Sequence, residues 1–253
     1  MSRADQARVT KEASAELIAK FPKVASLPRD SRGLPVPANV GRDPVNGRPV
    51  FATSDLNKEI DLLCDGKCAV TGTKFDTDDV WFISTPDLAL YPFGLCLDAP
   101  VCGEAKDFSL QVCPYFSLKN YQALSSEQKD AMSRNRQGVD PIKEFVQPTK
   151  FAAVRVRGFQ VQPTASGMRY LPSRRYTRVE FWKERSCEQV AEGAELDLLL
   201  NENFQIADGI FQKVKWPDWA HASFNGNLNG LWPWNIPGAR DILLQAAREA
   251  LAK

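Results

Sequence analysis

Five of the six cysteines fall in one segment, at Cys64, Cys68, Cys96, Cys102 and Cys113, and the chain holds a single histidine, His221. This decides what can organise the middle of the fold. A structural zinc site needs four thiolate or imidazole ligands, usually as two close-spaced pairs. One histidine excludes any site with two imidazoles from one chain. It also restricts a Ser-His-Asp or Cys-His arrangement to His221. The run Cys68-Ala-Val-Thr-Gly72 has the outline of a C-x-x-C-G knuckle, but Thr71 stands where the second sulfur belongs. A threonine hydroxyl is a poor zinc ligand, so the remaining ligand set is Cys64, Cys68, Cys102 and Cys113. The alternative is a segment held by packing, its thiols behaving as small apolar groups. Packing is the expectation adopted, with no cofactor; zinc on those four cysteines is the alternative.

The rest of the composition is that of an ordinary globular protein. Of 253 residues, 43% are hydrophobic and 25% charged, enough apolar surface to fold without staples. The 32 basic and 31 acidic residues leave a net charge of +1. No global field then draws in nucleic acid or an anionic membrane, and such binding needs a local patch. No apolar run approaches the roughly 20 residues of a membrane span, so no membrane partner is expected. The opening MSRADQARVTKEASAELIAKF carries early charges and lacks the apolar core of a secretory signal. The expected compartment is the cytoplasm, where disulfides are the least expected state of the cysteines.

Along the chain, Ser2 to Phe21 reads as a polar amphipathic helix ended by Pro22 and Pro28. Ser31 to Pro49 has prolines at 35, 37, 44 and 49 and reads as an extended arm with a turn at Asn46-Gly47. Residues 1–50 are therefore an N-terminal helix and arm, and 51–253 one α+β domain. Asp55 caps a helix through Leu63. Val80 to Ile83 is a strand, and Glu104 to Val112 a helix. Ser125 and Gln128 stand in capping-box spacing before a surface helix to Arg136. Phe151–Val161 and Thr177–Lys183 alternate and pair as antiparallel strands around a loop with Pro163, Gly167 and Pro172. In the first run Arg155 and Arg157 face away from Val154 and Val156. In the second Val179 and Phe181 stand against Arg178, Glu180 and Lys183. Cys187 to Leu200 reads as a helix. Ala239 to Lys253 is an amphipathic helix whose apolar face holds Ile242, Leu243, Ala246, Ala247, Ala250 and Leu251. Strands and helices do not alternate strictly. The expected class is therefore α+β, a small antiparallel sheet with flanking helices, rather than a doubly wound parallel sheet.

The order of these features resembles an uncharacterised family of bacterial and bacteriophage proteins. The matching pieces are Arg32-Gly-Leu-Pro-Val-Pro37, Gly47-Arg-Pro-Val-Phe51, Cys68-Ala-Val-Thr-Gly72, Pro100-Val-Cys-Gly-Glu-Ala105, Leu110-Gln-Val-Cys-Pro-Tyr115 and Phe181-Trp-Lys-Glu-Arg-Ser186. The resemblance implies a treble-clef-like segment over 64–116. It also implies that three of the four ligand positions have changed: Thr71 for cysteine, Cys102 for histidine and Ala105 for cysteine. Such a fold persists without the metal, or with a rebuilt ligand set. The resemblance implies no activity.

Three constellations remain. Between Phe151 and Arg185, eight basic residues stand against two acidic ones, with Tyr170, Tyr176 and Trp182 interleaved. Arginine among aromatics is what phosphate contact and base stacking use. Arg155, Arg157, Arg174, Arg175, Tyr176 and Arg178 are thus candidate nucleic-acid contacts; the charged solvent face of a hairpin is the plainer reading and the one preferred. Trp216, Trp219, Trp232 and Trp234 gather around His221 as a candidate partner interface, or as the lid of a core beneath a loop. The acidic turn Asp76, Asp78, Asp79 reads as a solvated loop, with Mg²⁺ or Ca²⁺ held through oxygen ligands as the alternative. No Walker loop, G-x-G-x-x-G, H-E-x-x-H or G-x-S-x-G motif is present. The leading expectation is a non-enzymatic interaction protein, bacterial or phage, acting on a host or partner macromolecule, with protein as the first partner class. A nucleic-acid binder or nuclease relative using 151–185, and a carboxylate metalloenzyme, are the alternatives.

Overall fold

A computed structural model describes residues 15–90, 94–113, 148–164, 167–211, 222–223 and 225–252. The helices are α1 (Ala15–Ala19), α2 (Pro22–Ala25), α3 (Leu56–Cys64), α4 (Pro86–Leu90), α5 (Gly103–Val112), α6 (Gly193–Phe211) and α7 (Ala239–Leu251). The strands are β1 (Val40–Arg42), β2 (Pro49–Ser54), β3 (Trp81–Ser84), β4 (Lys150–Arg155), β5 (Phe159–Thr164), β6 (Gly167–Pro172), β7 (Arg178–Lys183) and β8 (Ser186–Ala191). The fold is α+β. An antiparallel sheet of order β3-β4-β7-β8 forms the centre, and β1-β2 and β5-β6 are separate antiparallel hairpins. No described helix is long and apolar enough to cross a membrane.

β4 and β7 pair in the register Phe151↔Trp182 to Arg155↔Arg178, as the alternating runs suggest. The intervening stretch is more than a loop, because residues 159–172 form the hairpin β5-β6. The run from Phe151 to Val161 is also not one strand. Backbone groups that would continue the ladder are taken by another loop: Gly230 N donates to Arg157 O at 2.7 Å, and Phe159 N to Leu231 O at 2.9 Å. Phe151, Ala152, Ala153 and Val154 are all buried, so β4 is covered on both faces and simple alternation fails. In β7 the buried set is Val179, Glu180 and Trp182, so Glu180 lies inside rather than outside.

The helix expected from Cys187 is a correction. Glu184 and Arg185 adopt positive φ, 48° and 73°, and turn the chain back so that β8 pairs with β7. Only from Gly193 does the chain become helical. β8 is an edge strand with five of its six residues exposed, and its register shifts beside Phe181 and Trp182. Such a bulge discourages further strands from adding to the edge.

Pro22, expected only as a terminator, opens α2 at its first turn, where a missing N–H costs nothing. Ile18, Phe21 and Val24 form a small second core with Phe108 and Val112 of α5. Phe21 and Phe108 meet edge to face at 5.6 Å. Glu104 Oε1 accepts the N–H groups of Lys23 and Val24 at 2.6 and 3.1 Å, satisfying two orphan donors of α2. The proline arm lies against the knuckle, where Ala38 N donates to Val70 O and Asn39 N to Ala69 O. In α7 the inward stripe is Ala239, Leu243 and Ala247, while Ile242 and Leu251 are exposed. The expected face is therefore rotated. The helix expected over Ser125–Arg136 lies outside the described residues.

Beneath the β5-β6 hairpin, Tyr170 Oη donates to the buried Glu59 carboxyl of α3. Burial pushes the Glu59 carboxyl up against the hydrogen bonds it accepts from Tyr170, Ser54 and Asn39. A carboxyl raised in the folded state contributes most when protonated. Its contribution is full below the ordinary carboxylate range and is lost as pH rises through the raised value. Glu59→Gln keeps an acceptor for Tyr170 and removes the charge. The expected result at pH 8 is a melting temperature about 2–4 °C above wild type, for about 1 kcal/mol. Melting curves at pH 5 and pH 8 check it: the gap should widen with pH, and an equal or inverted gap refutes the assignment.

Candidate functional site

Where β4 leaves the sheet, the chain builds a cleft of about 520 Å³ lined by Thr77, Asp78, Arg155, Val156, Arg157, Thr177 and Trp232. Arg155 ends β4, and Thr177 immediately precedes β7, so antiparallel pairing places them side by side. Arg155 Nε donates to Thr177 Oγ1 at 2.7 Å, and the Thr177 hydroxyl donates to Arg155 O at 3.3 Å. The Arg155 guanidinium also lies over the Trp81 ring at 5.7 Å, with Glu192 at 3.9 Å. These contacts fix its plane. Arg157 is exposed, and among the described residues no ion pair involves it. The buried Trp232 packs behind, stacked on Trp234 with centroids 4.9 Å apart and edge-on to Phe159 at 5.9 Å.

Of the six candidate nucleic-acid residues, Arg155 and Arg157 meet at the cleft. Arg175 is exposed outside its lining. Arg178 is held by Glu180 at 2.7 Å and Glu192 at 2.9 Å. Arg174 and Tyr176 are interior. Arg174 is 2% exposed, and its Nη2 donates to Leu90 O at 3.0 Å; burial pushes its guanidinium down. Tyr176 Oη donates to Ala89 O at 2.8 Å. These two hold α4 and β4's neighbours together and face no solvent. Of the tryptophan group, Trp232 is buried, and the half-buried Trp234 stacks on Phe75 with centroids 5.6 Å apart. Trp216, Trp219 and His221 lie outside the described residues.

The acidic turn is organised by hydrogen bonds of its own carboxylates. Asp79 takes the Gly103 N–H on both oxygens, at 3.1 and 3.0 Å, and the Trp81 indole N–H at 2.8 Å. It caps α5, and Asp76 accepts the Asp78 N–H within the turn. Among the described residues no group of three or more His, Cys, Asp or Glu side chains is placed to hold a metal ion.

The same holds for the four cysteines. Cys68 and Cys102 meet, but Cys113 ends the ten-residue α5 that Cys102 begins, about 15 Å along the helix. Cys64 sits among Asp61, Asp65 and Arg240. Of the positions named by the resemblance, Cys68, Thr71 and Cys102 lie together. Thr71 N and Cys102 N point at Cys68 Sγ, at 3.4 and 3.3 Å, and Thr71 Oγ1 lies 3.9 Å from Cys102 Sγ. Two sulfurs, one hydroxyl and the methyl of Ala105 do not fit a tetrahedral zinc site, which needs four N or S donors.

Sequence reasoning missed one buried cluster altogether. Lys106 of α5 donates to Glu180 at 2.6 Å, forms an ion pair with Asp107 at 2.8 Å, and sits over the Trp81 ring at 4.3 Å. Glu180 also receives Trp182 Nε1 at 3.0 Å and Arg178 Nε at 2.7 Å. A lysine and a glutamate at inward helix and strand positions are its only sequence signal. The cleft residue Thr177 was missed because nothing marks a threonine as the clamp of an arginine 22 positions away.

Compared with protein-family models, with curated proteins and with solved structures, the chain finds no match in any of the three.

Proposed function

We propose that this is a non-enzymatic interaction protein, bacterial or phage, whose partner macromolecule is single-stranded nucleic acid held by its phosphates at Arg155 and Arg157. The supporting observation is the clamped guanidinium: Arg155, fixed by Thr177 and Trp81, stands beside the exposed Arg157 on an open cleft. A pre-oriented guanidinium gives bidentate phosphate contact with little ordering cost. The near-zero net charge provides no steering, so binding is weak and local.

The test is fluorescence anisotropy of a labelled single-stranded oligonucleotide at about 50 and 200 mM salt. Two phosphate contacts give a slope of log K against log salt of about −1.4. Arg155→Glu with Arg157→Glu is expected to weaken binding by about 30-fold or more, at about 1 kcal/mol or more per contact. Unchanged affinity in that variant, or none in wild type at low salt, overturns the reading. Arg174 is a poor choice for charge reversal because it is interior.

A protein partner is the second reading. It is favoured by exposed Leu198 on α6 and Ile242 on α7, at 64% and 57% exposure. Flat anisotropy with every oligonucleotide leaves that reading standing.

A further inference from the structure

The β1-β2 hairpin holds an aromatic ring in the open. Phe51 of β2 is 42% exposed and is the only exposed aromatic ring among the described side chains. Strand pairing puts it there. Gly41 pairs with Val50 and Val40 with Ser54, so Phe51, Ala52 and Thr53 bulge out between two adjacent residues of β1. Thr53 is buried, and its Oγ1 donates to Val50 O at 3.1 Å. Bulges re-aim side chains at the rim of a sheet, and Phe51 belongs to neither hydrophobic core.

Arginines accompany the ring. The Arg32 guanidinium lies over Phe51, 5.0 Å from its centroid, and Asp30 holds it there by accepting its Nε–H at 2.7 Å. Arg42 stands opposite Pro49, two residues before Phe51, and so on the same face of the hairpin. Its Nη1 donates to Gly47 O at 3.0 Å, which braces it against the turn. Arg29 and Arg48 are exposed as well. The two acids of this stretch are spent on its turns. Asp30 Oδ1 accepts the N–H groups of Arg32 and Leu34, and the buried Asp43 accepts the Val45 N–H and the Asn46 amide. Residues 29–51 therefore present four exposed arginines and one ring.

We propose that the Phe51 face of the β1-β2 hairpin is a second contact for single-stranded nucleic acid, with a base stacked on the ring and Arg32 and Arg42 on the flanking phosphates. Every base has a π face, so the ring holds any unpaired base without reading sequence, and arginine beside it adds charge and cation–π attraction. The single sign of the exposed charges favours a polyanion over a protein surface of mixed sign. A duplex, its bases already stacked on one another, offers the ring nothing. The inference rests on single-stranded nucleic acid being the partner but not on the Arg155 cleft, whose lining does not include Phe51.

The experiment measures fluorescence anisotropy of the full chain with a labelled oligothymidine and with the same strand made abasic, which keeps the phosphates and removes the bases. Wild type should bind the abasic strand about 5-fold or more weaker, the loss expected of one stacked base. Phe51→Ala should weaken oligothymidine binding by about the same factor, and its preference over the abasic strand should be lost. Phe51→Leu, which keeps bulk without a π face, should behave like Phe51→Ala; Phe51→Trp should match or exceed wild type. Arg42→Ala should flatten the slope of log K against log salt by about 0.7. Crossing these with Arg155→Glu plus Arg157→Glu tells the two contacts apart. Binding that falls with Phe51→Ala but not with the two glutamates keeps this contact and removes the cleft. Binding that falls with the glutamates but not with Phe51→Ala keeps the cleft and overturns this contact. Equal wild-type affinity for intact and abasic strands overturns it whatever the variants do. So does wild-type affinity in Phe51→Leu, and so does an absence of binding to any strand, which leaves the ring to a protein partner.

Discussion

Gly158→Ala is expected to destabilise the protein by about 3–5 kcal/mol, because its added Cβ meets the closest contact of any described glycine. An added Cβ there would lie 2.0 Å from Leu228 O and 3.0 Å from both N and O of Leu231. All three are backbone atoms, so no side chain can swing away. Relief requires the loop to move, and that loop is bonded on both sides of the glycine through Gly230 N to Arg157 O and Leu231 O to Phe159 N. Each bond is worth about 1 kcal/mol. The loop also leads directly into Trp232, which packs edge-on to Phe159. A drop in melting temperature of about 6–20 °C follows, at about 2–4 °C per kcal/mol. Gly230→Ala serves as the control in the same loop. It has φ of 75° but open space around its Cβ, so it should cost only about 1 kcal/mol of backbone strain. Equal melting temperatures for the two variants would show that the loop does not clasp Gly158.

Lys106→Ala is expected to cost about 3–5 kcal/mol, the typical result of removing one partner from a buried ion pair. Lys106 and Glu180 have side chains only 5% and 6% exposed, at a separation of 2.6 Å. Without the ammonium, Glu180 retains Arg178 and Trp182 but loses its closest counter-charge. Burial alone would raise the Glu180 carboxyl; the hydrogen bond and charge of Lys106, with Trp182 and Arg178, hold it below the ordinary range. A lowered carboxyl contributes stability that is present above its unfolded value and lost as pH falls through the folded one. Wild type should therefore lose this contribution below about pH 4.5, and the Lys106 variant should lose less there. A double-mutant cycle with Glu180→Gln should give a coupling of about 2 kcal/mol or more. Coupling near zero at pH 7 would mean that the pair adds nothing beyond its separate contacts.

How far each element was legible depends on how local its cause is. The α3 cap by Asp55, the β3 strand, α5 and α7 follow from caps and periodicity within a dozen residues, and the structure keeps them. β8 was misread because its turn is made by Glu184 and Arg185. A two-residue hairpin turn usually announces itself with glycine or asparagine, and here charged residues take the positive φ. The inward phase of Glu180 was invisible because its reason, Lys106, lies 74 positions earlier. The chemistry of the cleft was legible as residue type, since Arg155 and Arg157 stand out in sequence. Its membership was not, because Thr77, Thr177 and Trp232 reach it only through the strand pairing and the 225–232 loop. The knuckle shows the converse case. Its four positions were named by resemblance, but whether two sulfurs with a hydroxyl and a methyl still converge is a question of backbone geometry.

The order of strands in the central sheet also bears on how the chain comes to be folded. β3 finds its partner β4 only after the whole stretch between Ser84 and Lys150 has been made, and Ser84 then sits opposite Ala152. Closing so long a span before any contact rewards it slows the rate-limiting search. During synthesis the apolar run Trp81-Phe-Ile83 emerges well ahead of the strand that covers it, a window in which the nascent chain is open to aggregation and to chaperone capture.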